Sequence, residues 1–152
     1  MNAARAARGG DEHRLDVARD RFARARVARL ATVGPDGGPH LVPIVFVLVD
    51  DVVWSAVDSK PKSTRALRRL DNIRSHPRVS LLVDHYSDDW TTLWWVRLDG
   101  DARVVAHEEA EAAAALAALT AKYIQYQSDP PAGPLVRVDI TLWSSWSHAP
   151  GT

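Results

Sequence analysis

The segment SKPKSTRALRRL, residues 59–70, carries five cations, Lys60, Lys62, Arg65, Arg68 and Arg69, within ten positions of a chain whose formal net charge is zero. On a helix at about 100° per residue, Lys62, Arg65 and Arg69 fall at i, i+3 and i+7 and form a line beside the apolar stripe. Asp58 or Ser59 can cap such a helix, and Pro61 suits its first turn. Ser63 and Thr64 then sit beside unpaired backbone N–H groups. Hydroxyls, amides, cations and the positive end of the helix dipole would converge there, which is the chemistry for holding a phosphate or another anion. The competing reading is a solvated basic face that holds no ligand.

Other chemistries find little support. The absence of cysteine excludes disulfides, thiolate metal sites and cysteine nucleophiles together and is compatible with a reducing cytoplasm, where we expect the protein to reside. His13, His40, His76, His85, His107 and His148 show no ligand spacing, so no metal site is expected. Neither a glycine-rich dinucleotide motif nor a P-loop occurs, and no Ser-His-Asp set can be argued from scattered residues. Zero net charge and the lack of a basic stripe interleaved with aromatics argue against nucleic acid as a partner. The longest apolar run, residues 41–49, contains Pro43 and is far short of the roughly 20 residues that span a bilayer, so no membrane association or export signal is expected.

The elements that must position the basic segment follow from periodicity. With 152 residues, 46% hydrophobic and 25% charged, the chain fits one globular domain with one core. Leu15, Ala18, Phe22 and Ala25 recur at helical spacing, giving an N-terminal helix within residues 1–26 that packs on a second unit, residues 27–152. VARLATV and HLVPIVFVLV, around the turn GPDGGP, read as a hairpin, and VVWSAV as a third strand. The basic helix, with Ala66, Leu67, Leu70 and Ile73 on its apolar stripe, runs to Pro77. Residues 78–86 and 91–105 are two more strands, 108–123 a third helix and 135–143 a sixth strand. Six strands and about three helices in so short a chain imply a mainly β (α+β) fold, a closed or half-closed barrel with helices outside. Trp94 and Trp95 are neighbours in a strand and face opposite sides, so they cannot both enter one core.

The order strand, strand, basic helix, strand, with SAVDSKPKS and NIRSHPRVSLLVD at the matching positions, resembles the pyridoxamine-phosphate-oxidase-like split β-barrel flavoproteins over roughly residues 27–105. Within them KPKSTRALRRLDNI, LLVDHYSDDWTTLWWVR and PPAGPLVRVDITLWSSWS look most like the actinobacterial branch that uses the deazaflavin coenzyme F420; sixteen arginines against three lysines and abundant alanine suit such a source. The resemblance implies a six-stranded split barrel forming a homodimer, with a cofactor groove at the subunit interface. It implies hydride transfer between F420 and a small-molecule substrate, the alternatives being flavin mononucleotide (FMN) as cofactor or a non-enzymatic flavin- or haem-related binding protein. The phosphate would be held by Lys60, Lys62, Ser63, Thr64 and Arg65, with Arg69 further along the helix. Val42, Pro43, Ile44 and Val45 would lie along the ring through their backbone, with Ser55, Ala56 and Val57 on the adjoining strand and Trp94 at the groove. Tyr86, Tyr126 and His40 are candidate proton donors. The basic helix is about two turns longer than in the FMN oxidases, which leaves open which lysine meets the phosphate.

Overall fold

The computed structural model describes residues 3–57 and 64–148, with the side chains of 10–57 and 67–148. The elements in chain order are α1 (Ala3–Arg24), β1 (Ala28–Val33), β2 (Pro39–Ile44), β3 (Val47–Val49), β4 (Val52–Ala56), α2 (Thr64–Ser75), β5 (Arg78–His85), a 3-10 turn (Trp90–Thr92), β6 (Trp94–Val105), α3 (Ala110–Lys122), α4 (Gln125–Ser128) and β7 (Leu135–Ser147). The strands form one antiparallel sheet in the order β2-β1-β5-β6-β7-β4-β3. Its two edge strands are consecutive in the chain and separated only by Val45 and Phe46. The sheet must therefore curl until its edges meet at that junction, which makes it a half-barrel.

This junction corrects the expectation of six strands. Residues 40–49 do not form one strand: Ile44 is opposite Ala28 at the start of β1, whereas Val47 is opposite Trp54 on β4. A straight strand cannot serve partners on opposite edges of the sheet, so the ladder breaks between them. Backbone groups at a break still need partners, and side chains supply them. The Phe46 N–H donates to Tyr123 Oη at 3.0 Å. The Tyr123 hydroxyl lies 2.9 Å from the Phe46 carbonyl and 3.0 Å from that of Arg26, and its single proton serves one of them at a time. Ser55 Oγ donates to the Val45 carbonyl at 2.9 Å.

The barrel interior is filled by Leu30, Leu81, Val83, Val96 and Leu98 from the sheet, by Ala18 and Phe22 from α1 and by Leu70 and Ile73 from α2. The Phe22 ring lies 4.8 Å from that of Phe46 and 6.0 Å, edge-on, from that of Trp143, so α1 closes one end of the barrel. A second cluster sets Ala112, Ala115 and Leu119 of α3 against Trp54, Ala56 and Leu135. Strand β4 is thus buried on both faces, Val53, with Val57 just beyond the strand, toward one cluster and Trp54 and Ala56 toward the other, which explains why Ser55 is its only polar residue, bonded to the Val45 carbonyl. Gly100 marks a shift in the β6–β7 register, where a Cβ would lie 2.5 Å from the Asp139 carbonyl oxygen. Leu67, expected on the buried stripe of α2, is 54% exposed, so among the described side chains that stripe keeps Leu70 and Ile73. No helix among the described residues is long and apolar enough to cross a membrane.

Candidate functional site

Six of the residues implied as cofactor contacts come together at the break between β2 and β3. Pro43, Ile44 and Val45 arrive from the end of β2, Ser55 and Ala56 from β4, and Arg69 from the second turn of α2; with Val27 and Tyr126 they line a cavity of about 290 Å³. These stretches are distant in sequence and meet only because the sheet curls. Strands β2 and β3 are edges, so each has one row of N–H and C=O groups without a neighbouring strand. Pro43 is exposed on its edge strand, where the missing N–H costs no ladder bond.

The other implied contacts lie differently. The side chain of Val42 packs against the barrel core, and Val57 is buried within it. Trp94 also packs against the core, with the Arg21 guanidinium 4.9 Å from its ring centroid and the His85 ring stacked at 6.2 Å. It lines a separate cavity of about 430 Å³ with Trp95, Trp146, Leu82 and Tyr86, not the one at the break. Thr64 and Arg65 occupy the first turn of α2, their side chains outside the described set; Lys60, Lys62 and Ser63 lie outside the described residues. Of the candidate proton donors, Tyr126 is buried and lines the cavity at the break, Tyr86 is 70% exposed on the far side of the sheet, and His40 faces Thr32 across β1–β2 with its Nδ1 buried and unbonded.

A larger cavity of about 570 Å³ adjoins the first, sharing Val27, Val45 and Tyr126, and is further lined by Arg26, Lys122, Tyr123 and residues 124–127. Sequence reading missed this half, because Lys122 and Tyr123 end an alanine-rich helix whose local pattern carries no sign of a ligand. Lys122 donates to the carbonyls of Ala23 at 3.0 Å and Ala25 at 2.8 Å, capping the end of α1, and its Nζ lies 3.9 Å from the Phe46 ring centroid. Burial, helped by the neighbouring Arg26 charge, lowers its pKa to about 8. Burial raises the pKa of the Tyr123 hydroxyl, partly offset by its bond to Phe46 and by Arg26, so the hydroxyl stays protonated at neutral pH. Among the described residues no group of three or more His, Asp or Glu could hold a metal ion.

A curled antiparallel sheet with a cleft where its edges meet defines a split-barrel fold. The chain belongs to the pyridoxamine 5'-phosphate oxidase family, whose model matches residues 15–147. Among solved structures it is similar to a conserved hypothetical protein, Rv2991, from Mycobacterium tuberculosis, with 30% identity, a TM-score of 0.67 and coverage of 88% of this chain and 84% of that one. It shares its fold with an F420 reductase, at 22% identity, a TM-score of 0.61 and coverage of 82% and 94%. It shares it equally with the heme storage protein HutZ from Vibrio cholerae, at 16% identity, a TM-score of 0.67 and coverage of 91% and 94%. Among curated proteins, none matches the sequence.

Proposed function

We propose that the protein is an oxidoreductase that binds F420 at the break between β2 and β3 and passes a hydride between the coenzyme and a small organic substrate, working as a homodimer. The observation that carries this reading is the meeting of Pro43, Ile44, Val45, Ser55, Ala56 and Arg69 around one cavity, with the basic helix α2 leading away from it. The residues suit such a ligand. Two edge strands offer unpaired backbone polar groups to a flat heterocycle, and Arg69 places a cation on the side of α2. Thr64 and Arg65, one turn nearer the helix start, and Lys60, Lys62 and Ser63 before them would extend that cationic side toward a phosphate.

When bound, the deazaflavin supplies the carbon that gives or takes the hydride. The protein's share is binding, orientation and exclusion of water. Ser55 and Tyr123 tie down the carbonyls and the N–H of Val45 and Phe46, so the cleft wall is held before any ligand arrives. Tyr126 lines both cavities, which makes its phenol the candidate proton donor to a molecule bound there.

The dimer rests on the outer face of β5, β6 and β7. In register across it lie Asp84, Trp95 and Trp146, then Leu82, Arg97 and Ser144, then Ser80, Asp99 and Leu142. Leu82, Leu142 and Trp146 are 37%, 53% and 45% exposed, an apolar patch of the composition found at subunit contacts.

Titration of the purified protein with F420 and with FMN, followed by fluorescence, tests the coenzyme. Saturable F420 binding with weaker FMN binding is expected. Tight FMN binding with no response to F420 would replace the coenzyme and keep the cleft. Binding of either without turnover of any substrate would make the protein a carrier.

A further inference from the structure

The 570 Å³ cavity has a charge pattern that cofactor binding leaves unused. Two of its lining residues, Arg26 and Lys122, are cations, and no carboxylate lines it. Among the described residues neither cation forms a salt bridge, whereas Arg19, Arg24, Arg29, Arg74, Arg78, Arg97, Arg103 and Arg137 all do. Arg14, Arg21 and Arg68 also lack a salt bridge among those residues, but Arg26 and Lys122 line one cavity together, and the Arg26 charge disfavours that of Lys122. Lys122 spends two donors on backbone carbonyls, and Arg26 spends one, Nη1, on the Lys122 carbonyl at 2.8 Å. The remaining guanidinium donors have no bond among the described residues. The rest of the lining is neutral: Val27, Val45, Ala121 and Ile124, the amides of Gln125 and Gln127, and the rings of Tyr123 and Tyr126, whose centroids lie 5.9 Å apart.

We propose that this cavity is the substrate subsite beside the coenzyme cleft and that it takes an organic anion with a flat apolar body, such as an aromatic or conjugated carboxylate. The carboxylate would meet Arg26 in the fork geometry that guanidinium favours. Its body would run over Val45 and Tyr126, the residues shared with the smaller cavity, toward the coenzyme. A neutral ketone or quinone of the same shape would leave two like charges uncompensated. The size suits a small ligand, since such sites commonly measure roughly 300 to 1,000 Å³. The role as a substrate subsite rests on the coenzyme reading; recognition of the anion does not. A carboxylate from the coenzyme's own polyglutamate tail has the same charged chemistry and lacks the apolar body.

Calorimetric binding to the full chain without coenzyme separates these cases. The probes are trans-cinnamate, its neutral counterpart cinnamyl alcohol, and glutarate, an anion without a flat body. Cinnamate should bind about tenfold or more tighter than either of the others. Arg26→Gln should weaken cinnamate by about ten- to a hundredfold, the worth of a charge-assisted contact, and shift cinnamyl alcohol by no more than about twofold. Arg26→Lys, which keeps the charge, should retain most of the affinity and guards against a folding defect. Equal binding of cinnamate and the alcohol, or indifference to Arg26→Gln, would overturn the proposal. Glutarate binding as tightly as cinnamate would assign the cations to the coenzyme tail and overturn it too. In a second arm, saturating cinnamate should leave F420 affinity unchanged or raise it; competition would mean one shared site and no separate subsite. Cinnamate binding as expected with no F420 binding at all would keep the anion site and overturn the coenzyme reading alone.

Discussion

The break between β2 and β3 and the outer face of β5–β7 are built from the same sheet by opposite means. At the break, main-chain ladder bonds give way to side-chain bonds from Tyr123 and Ser55, two edges are left unpaired, and two joined cavities open. Along β5, β6 and β7 the backbone is spent in the ladder, with all eight residues of β5 opposite β6, and the surface presents side chains alone. A small molecule can be read by backbone only where the ladder is interrupted. A continuous ladder presenting Leu82, Leu142 and Trp146 among Asp84, Arg97 and Asp99 offers a mixed apolar and charged surface instead, which suits another protein surface. On the proposed reading, one sheet would separate a ligand function from an assembly function.

The contrast breaks most sharply on the face. Trp146→Glu places a charge in the proposed subunit contact, and an unpaired buried charge costs roughly 2 to 5 kcal/mol, so dimer affinity should fall about thirtyfold or more. Sedimentation should show the 16.7 kDa monomer while the thermal midpoint changes little, because Trp146 lies outside both core clusters. An undiminished dimer would place the contact elsewhere.

At the break the expected effect is smaller and falls on folding. Tyr123→Phe leaves the buried Phe46 N–H without its acceptor, and an unmet buried donor costs about 1 to 3 kcal/mol, to be read from urea melts. F420 affinity should weaken in step while the dimer persists. Unchanged stability would mean that water replaces the phenol and that the cleft wall is not held by it.

The smallest effect is a pH dependence. In the fold Lys122 loses its proton near pH 8, against 10.5 for the ordinary group. Between those values the unfolded chain holds a proton there that the folded chain has released, so this group makes stability rise with pH across the window. Below about pH 8 both states are protonated and the contribution is flat. The stability of the wild type relative to Lys122→Met should therefore grow between pH 8 and 10. The raised pKa of Tyr123 acts in the opposite sense at higher pH but is common to both proteins. A difference that stays level from pH 7.5 to 9.5 would show that Lys122 is solvated and titrates normally.

By itself the sequence determined the kinds of element and much of the lining of the smaller cavity. Period-two runs marked the strands, helical spacing marked Ala18, Phe22, Leu70 and Ile73 as core, and the cations of residues 60–69 stood out against a neutral chain. Its motif order carried the family and, with it, the six residues that meet at the break. The tertiary structure alone decided where HLVPIVFVLV stops being one strand, because that depends on the separate partners of Ile44 and Val47 and not on any residue between them. It also decided which tryptophan turned inward, since alternation requires the two to part but leaves the choice to the register of β6. The second cavity was equally out of reach. Arg26 and Tyr123 are 97 positions apart, and only curling of the sheet brings the ends of α1 and α3 to one corner, where desolvation and the Arg26 charge act on Lys122, a cation that looks ordinary in the chain.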